Sequence, residues 1–263
     1  MINRDVFKME FRRSLKSLVI WSVAVGSYIL LVVVLYPLVK DMYSSMPEEL
    51  ISYMDMVGGI PKNIIEYYAI EGALMMQLAG AIFAALLGFS LLNHDEREMT
   101  TDVIYTLPVS RKTFYYTKLL VVFLEILLFS AGVTLFTFVG IISIEKNAAF
   151  TSFFSFNLLN TLMLLIMGTL GFALAAVTKR TTKTALSVLI PLPLYVIYFI
   201  SQLTDNRIVK NLKYISAFTF SDPVTIIKTG DKIAFFTLLA YLVLAFFALL
   251  FGCFKFRKKE FFQ

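Results

Sequence analysis

The chain has 263 residues, of which 59% are apolar and 16% charged, and its mean hydropathy is +0.79. A water-soluble domain sits nearer half apolar and a quarter charged, so this composition excludes one and describes an integral membrane protein. The net charge of +6 is read as basic flanks facing anionic lipid headgroups, and no nucleic-acid partner is expected.

A helix needs about 20 apolar residues to cross the hydrocarbon core, which offers the backbone no hydrogen-bond partner. In chain order six runs qualify: about 17–39, 73–92, 119–144, 153–178, 184–203 and 233–254. The first follows Arg4, Lys8, Arg12, Arg13 and Lys16, as a secretory signal would. It is too long for a signal core and ends in Tyr36-Pro37-Leu38-Val39-Lys40 without a small-residue cleavage site, so it is expected to stay in the mature chain. Residues 1–16 place Val6, Phe7, Met9 or Glu10, Phe11 and Leu15 among bases at roughly helical spacing, which predicts an amphipathic helix in the membrane interface. A topogenic basic flank is the plainer reading of the same residues.

Between the first two runs, Pro47 with Glu48 and Glu49 marks a helix start, Gly58-Gly59 a stop and Pro61 a second start. Small residues recur as Gly80, Ala84 and Gly88 in the second run and as Gly168, Gly171 and Ala175 in the fourth, where backbones can approach closely. Pro191 and Pro193 remove two backbone donors and are expected to kink the fifth. With the N-terminus inside, 16 of the 24 Lys and Arg residues fall on the inner side, so both termini are expected in the cytoplasm. The expected fold is an all-α membrane protein: one domain over 1–263, six transmembrane helices and no separate soluble unit.

Several chemistries lack their residues. One histidine, His94, and one cysteine, Cys253, leave no disulfide and no His/Cys metal cluster. No Gly-Lys pair occurs, hence no GxxxxGK[ST] phosphate loop, and no cofactor is expected on this chain. Work driven by nucleotide would need another chain to bind it. Glu125 is the one acid inside a run, seven residues after Lys118 on the same helical face. It reads as a packing or water-cavity carboxylate, or as a transport acid.

The longest inner loop, residues 94–118, reads HDEREMTTDVIYTLPVSRKTFYYTK. Asp95, Glu96, Glu98 and Asp102 suit the positive end of a helix starting near 95 and running toward Thr106. Pro108 ends it and Val109-Ser110-Arg111-Lys112 turns the chain, which makes a short stiff handle for a soluble partner. A solvated connector is the plainer alternative.

This loop resembles the coupling loop of the ABC-2 family of export permeases, whose pattern is roughly E-E-x-x-G-T-x-E-x-L-L-S-x-P-V-S-R with a basic residue opening the next span. Asp95-Glu96, Thr100, Asp102, Ile104, Pro108-Val109-Ser110-Arg111 and Lys118 match it. Met99 stands where the family has glycine, and Thr106 where serine is common. The basic start, the Pro47-Glu48-Glu49-Leu50 segment and the late loop around Ser216 to Pro223 follow in the family's order, with Ala217 in place of a proline.

The resemblance implies a bacterial plasma-membrane exporter subunit that pairs with a second permease copy or homologue and with two cytoplasmic ABC ATPase subunits, which hold ATP and Mg. Asp95, Glu96, Glu98, Thr100, Asp102, Pro108, Ser110 and Arg111 would couple to those subunits, with Lys179 and Arg180 of the second inner turn as a lesser contact. The scarcity of charge inside the spans points to hydrophobic or amphipathic cargo, and the resemblance to an antimicrobial or toxin-like peptide or a drug. Two other classes remain: an intramembrane protease built on the acids of 95–98, and an immunity protein that transports nothing.

Overall fold

The computed structural model describes residues 2–44, 46–47, 59–98, 109–146, 148, 150–179, 182–204, 206–229 and 234–259. Those residues form helices and connecting turns, with no strand among them. Six helices are long and apolar enough to cross a membrane: α1 (Arg4–Val34), α3 (Ile64–Arg97), α4 (Arg111–Ile144), α5 (Phe150–Val177), α6 (Thr184–Gln202) and α8 (Phe235–Lys258). Shorter helices α2 (Tyr36–Ser44) and α7 (Arg207–Asn211) lie between them.

The helix starts are written locally. Asn3 accepts from the backbone N–H groups of Asp5 and Val6 and opens α1. Asn63 accepts from Glu66 N–H, while the Glu66 carboxylate accepts from Lys62 N–H, and α3 begins. Ser110 accepts from Thr113 N–H and opens α4. Each side-chain oxygen satisfies a donor that the first turn would otherwise leave unpaired. The second start expected from Pro61 therefore appears at Ile64, whereas the short helix expected after Pro47 falls in residues 48–58, outside the described residues.

Three expected boundaries differ. Residues 4–16 are not a separate interfacial helix but the opening turns of α1, continuous to Val34. The cause is a partner: α1 runs parallel to α4, with Asn3 N–H donating to Thr117 Oγ1 at 3.1 Å, Ser14 bonding Glu125, and Gly26 facing the Phe136 ring. The second difference is in α3, which starts nine residues before the apolar run, passes through a π turn at Tyr68–Gly72 and continues to Arg97. The third is in α6, where the kink expected at Pro191 and Pro193 is a change of helix type: a 3-10 segment, Thr184–Leu189, gives way at Ile190 to an α-helix that starts on Pro191. At that first turn a missing N–H costs nothing.

The core is the seam between α3 and α5. A Cβ on Gly88 would overlap the Gly168 carbonyl oxygen, and one on Gly171 would overlap that of Ala85, so the backbones themselves touch. Without a hydrophobic force between helices in lipid, such close approach is the main source of attraction. The two small-residue stripes thus serve one intramolecular seam. Phe83 and Phe129 stack beside it at 4.6 Å, and Tyr68 packs on Phe153 and Phe156. In contrast, α8 turns Phe236, Phe246, Phe247 and Phe251 outward.

Contacts also sort the helix ends. Arg13 and Lys118 meet Asp95, Arg97 meets Thr184, and Arg111 meets the carbonyls of Arg257 and Lys259. The starts of α1, α4 and α6 and the ends of α3 and α8 therefore share one end of the bundle, here the charged end. The far end is closed largely by neutral bonds, beside Lys228 Nζ, which donates to the Ile60 carbonyl at 3.1 Å. There Gln77 donates to Ser221 O at 2.6 Å, Tyr241 to Ile215 O at 2.5 Å and Ser216 to Leu194 O at 2.7 Å, which folds residues 212–221 in among the helices.

Candidate functional site at the charged end

Four charged side chains from three helices interlock at the charged end. Asp95, in the last turn of α3, accepts from Arg13 Nη1 at 2.8 Å and from Lys118 Nζ at 2.5 Å. Glu10 on α1 lies 3.2 Å from Lys118 Nζ and 3.4 Å from Arg13 Nη1. Glu10 and Lys118 are wholly buried and Asp95 is 1% exposed, while Arg13 alone reaches solvent. Charges removed from water are tolerated only when paired and hydrogen-bonded, and here each cation meets two carboxylates.

Lys118 does a second job, donating to the Leu91 carbonyl at 2.6 Å. Arg111 acts likewise on α8, donating to the carbonyls of Arg257 at 3.1 Å and Lys259 at 2.7 Å. Cations at helix C-termini meet unpaired carbonyls and the negative end of the macrodipole. Arg111 thus caps the end of α8, while Lys118 adds a second donor to a carbonyl inside α3. Lys259 returns the contact, its ammonium 2.7 Å from Glu96 as a charge contact without aligned hydrogen-bond geometry.

The expected coupling residues are therefore distributed unevenly. Asp95 and Glu96 do not begin a new helix on a free handle. They continue α3 and turn inward, Glu96 being 6% exposed, because cations of α1, α4 and the α8 tail neutralise them. Glu98 faces outward, 3.2 Å from His94. Ser110 is the cap of α4 and Arg111 its clamp on α8. Thr100, Asp102 and Pro108 lie outside the described residues, as does Arg180, while Lys179 is exposed at the end of α5.

Glu125 lies on α4, two turns beyond Lys118, and is fully buried. One oxygen accepts from the Ser14 hydroxyl, and the other has no hydrogen-bond partner. Its partner Ser14 lines a cleft of about 330 Å³ between α1 and α3, where Glu10, Arg13, His94 and Thr184 give polar groups of both kinds and Trp21 and Leu87 lie on the apolar side. Sequence reasoning passed over Glu10 and Arg13 as parts of a site. The available signal was Glu10 competing with Met9 for the apolar face of the first helix, a tie that only the neighbouring Lys118 breaks.

Among the described residues no group of three His, Cys, Asp or Glu side chains could hold a metal ion. The parts of the site suit binding and mechanical linkage between helices. No curated protein matches the chain. The profile of one family, described as "Multidrug efflux system permease Rv1217c, C-terminal domain", matches residues 4–257. That span takes in every membrane-crossing helix but the final residue of α8, so the chain is a membrane permease belonging to the multidrug efflux permease Rv1217c C-terminal domain family.

Proposed function

We propose that this chain is the transmembrane subunit of an ATP-driven ABC exporter in a bacterial plasma membrane. It works with a second permease, identical or related, and two cytoplasmic subunits that bind ATP and Mg. Family membership supports efflux, and the lack of a phosphate loop supports a motor on another chain. The resemblance of residues 95–111 to a coupling loop supports the place of contact. The cargo is hydrophobic or amphipathic, a drug or a peptide, in keeping with spans that carry almost no charge. The basic bias of the charged end supports its placement in the cytoplasm, with both termini there.

The observation that carries this reading is the anchoring of the loop at both of its roots. Asp95 and Glu96 lock one root to α1, α4 and the tail of α8, while at the other root Ser110 caps α4 and Arg111 locks it to α8. A force applied between the roots reaches four helices without loss in a slack joint. Nucleotide shifts inward- and outward-open arrangements only by its differential affinity for them, and a nearly complete switch requires about 5.5 kcal/mol.

The test replaces residues 99–108 with a Gly/Ser segment of equal length, leaving both roots intact. Mg-ATP hydrolysis that co-purifies with the native chain in mild detergent should fall at least about tenfold, the signature of a lost partner contact worth about 1.4 kcal/mol or more. Hydrolysis that persists unchanged, or that the isolated chain performs alone, sinks the reading.

A further inference from the structure

Helix α8 has the least buried apolar window of the six spans, and one of its faces changes character at the charged end. Phe247, Phe251, Phe254 and Lys258 follow one another at steps of three and four residues, with Lys255 one turn after Phe251, and all five are exposed. Gly252, Cys253 and Phe256 are buried on the opposite side. Phe236 lies on the same exposed face near the start of the helix. The rise from Phe236 to Phe254 is about 27 Å, close to the roughly 30 Å of a hydrocarbon core. The outward phenylalanines therefore fill the membrane's thickness, and the lysines begin where headgroups begin.

A lysine near the end of a span ordinarily stretches away from the apolar core toward water. These two do the reverse. The Lys255 ammonium lies 5.5 Å from the centroid of the Phe251 ring, and that of Lys258 lies 4.2 Å from Phe254. Each charge is drawn one turn back along the helix, the direction in which helical side chains lean. The rings reward a cation at that distance without neutralising it. Their neighbour Lys259 meets Glu96, but among the described residues neither Lys255 nor Lys258 meets a carboxylate. Two uncompensated cations thus sit at phosphate depth, directly beside a strip of apolar rings.

That pairing selects its occupant. A second copy packed on the same face in the same membrane sense would bring lysine against lysine. A soluble anion would meet the charges but leave the rings bare. An amphiphile with an anionic head and an acyl chain answers both, because the negative leaflet surface attracts each such base and hydrocarbon suits the phenylalanines.

We infer that the inner end of α8 is a binding site for one anionic phospholipid, its phosphate held by Lys255 and Lys258 and an acyl chain laid along Phe254, Phe251 and Phe247. This goes beyond the export reading and does not depend on it. The lipid would steady the tail that Arg111 and Glu96 hold from the protein side.

The full chain, purified in mild detergent, is unfolded thermally with rising mole fractions of phosphatidylglycerol or of phosphatidylcholine with the same acyl chains. Glycerol 3-phosphate, a headgroup fragment without chains, forms a third arm. Phosphatidylglycerol should raise Tm saturably, with a half-point at least about tenfold below that of phosphatidylcholine, as two bases at a lipid surface require. Glycerol 3-phosphate should have no effect. Lys255→Met with Lys258→Met, which keeps the stems and removes the charges, should bring the two lipids within about twofold. Arg12→Met with Lys16→Met removes two exposed bases of α1 instead, and should leave the preference intact.

Equal half-points in the native chain overturn the proposal, as does a preference that survives the α8 pair or is lost equally in the α1 pair, which marks a general basic surface. Stabilisation by glycerol 3-phosphate overturns it in favour of a soluble anion. Should the α8 pair fail to fold, Lys258→Met alone decides, with an expected rise of about fivefold in the phosphatidylglycerol half-point and none for phosphatidylcholine.

Discussion

Helices α3 and α8 both pack on α5, and they do so in opposite ways. The most apolar window of α3 is 61% buried, that of α8 only 22%. Along α3 the contact is made by Ala84, Ala85 and Gly88, whose backbone touches that of Gly168 and Gly171, while Gly80 admits the Leu164 and Phe129 side chains. Along α8 it narrows to places such as Gly252 beside Ala173, and the phenylalanines face out. In lipid an outward phenylalanine loses nothing, because hydrocarbon solvates it as well as a protein interior does. A helix therefore becomes central here by having little side chain, and peripheral by having much.

That contrast is sharpest at Gly88. Gly88→Val places branched carbons where the Gly168 carbonyl oxygen stands, and it should cost more than about 4 kcal/mol. Folded protein should vanish from the membrane fraction on fluorescence-detected size exclusion. Normal recovery would show that the seam can open, and would put α3 on the same footing as α8.

The locks at the charged end carry the same asymmetry. Lys118→Met, on the α3 side, leaves Glu10 without its buried cation and removes the donor to the Leu91 carbonyl, for a loss of about 3 kcal/mol in thermal unfolding in detergent. Lys259→Met, on the α8 side, removes the ammonium beside Glu96, a contact without an aligned hydrogen bond, and should cost about 1 kcal/mol. Equal losses would mean that the α8 tail is as deeply tied as α3.

The smallest effects belong to glycines with room and to the rim. A methyl group on Gly132 would have Ser22 Cβ 3.8 Å away as its nearest neighbour, so Gly132→Ala should change stability by less than about 0.5 kcal/mol. Phe236→Leu, on a side chain 87% exposed, should do the same in nanodiscs. A large loss at Phe236 would reveal a protein partner in place of lipid on that face.

Much of the fold was legible because hydrophobic length is a local property. The runs 119–144 and 153–178 lie inside or almost coincide with α4 and α5. The misjudged ends share one cause: apolar runs mark where lipid is, whereas helices continue past it when their charges find partners. Arg111 to Lys118 lie before the third run and are helical nonetheless, capped by Ser110 and held by α3 and α8. Asp95 and Glu96, expected at the start of a new helix, finish an old one for the same reason. The cleft was not legible at all, since Trp21 and Phe83 are far apart in sequence and read as ordinary span residues.

By itself the sequence determined the solvent, the number of crossings and the small-residue stripes, because each depends on composition or spacing within one helix. Tertiary structure decided which stripe met which, that α1 would run beside α4 from its third residue, and that two acids would interlock with two cations from three helices. Those outcomes turn on pairings between helices, from residues 23 positions apart to residues 114 apart, and a distance of that kind is set by packing and never by periodicity.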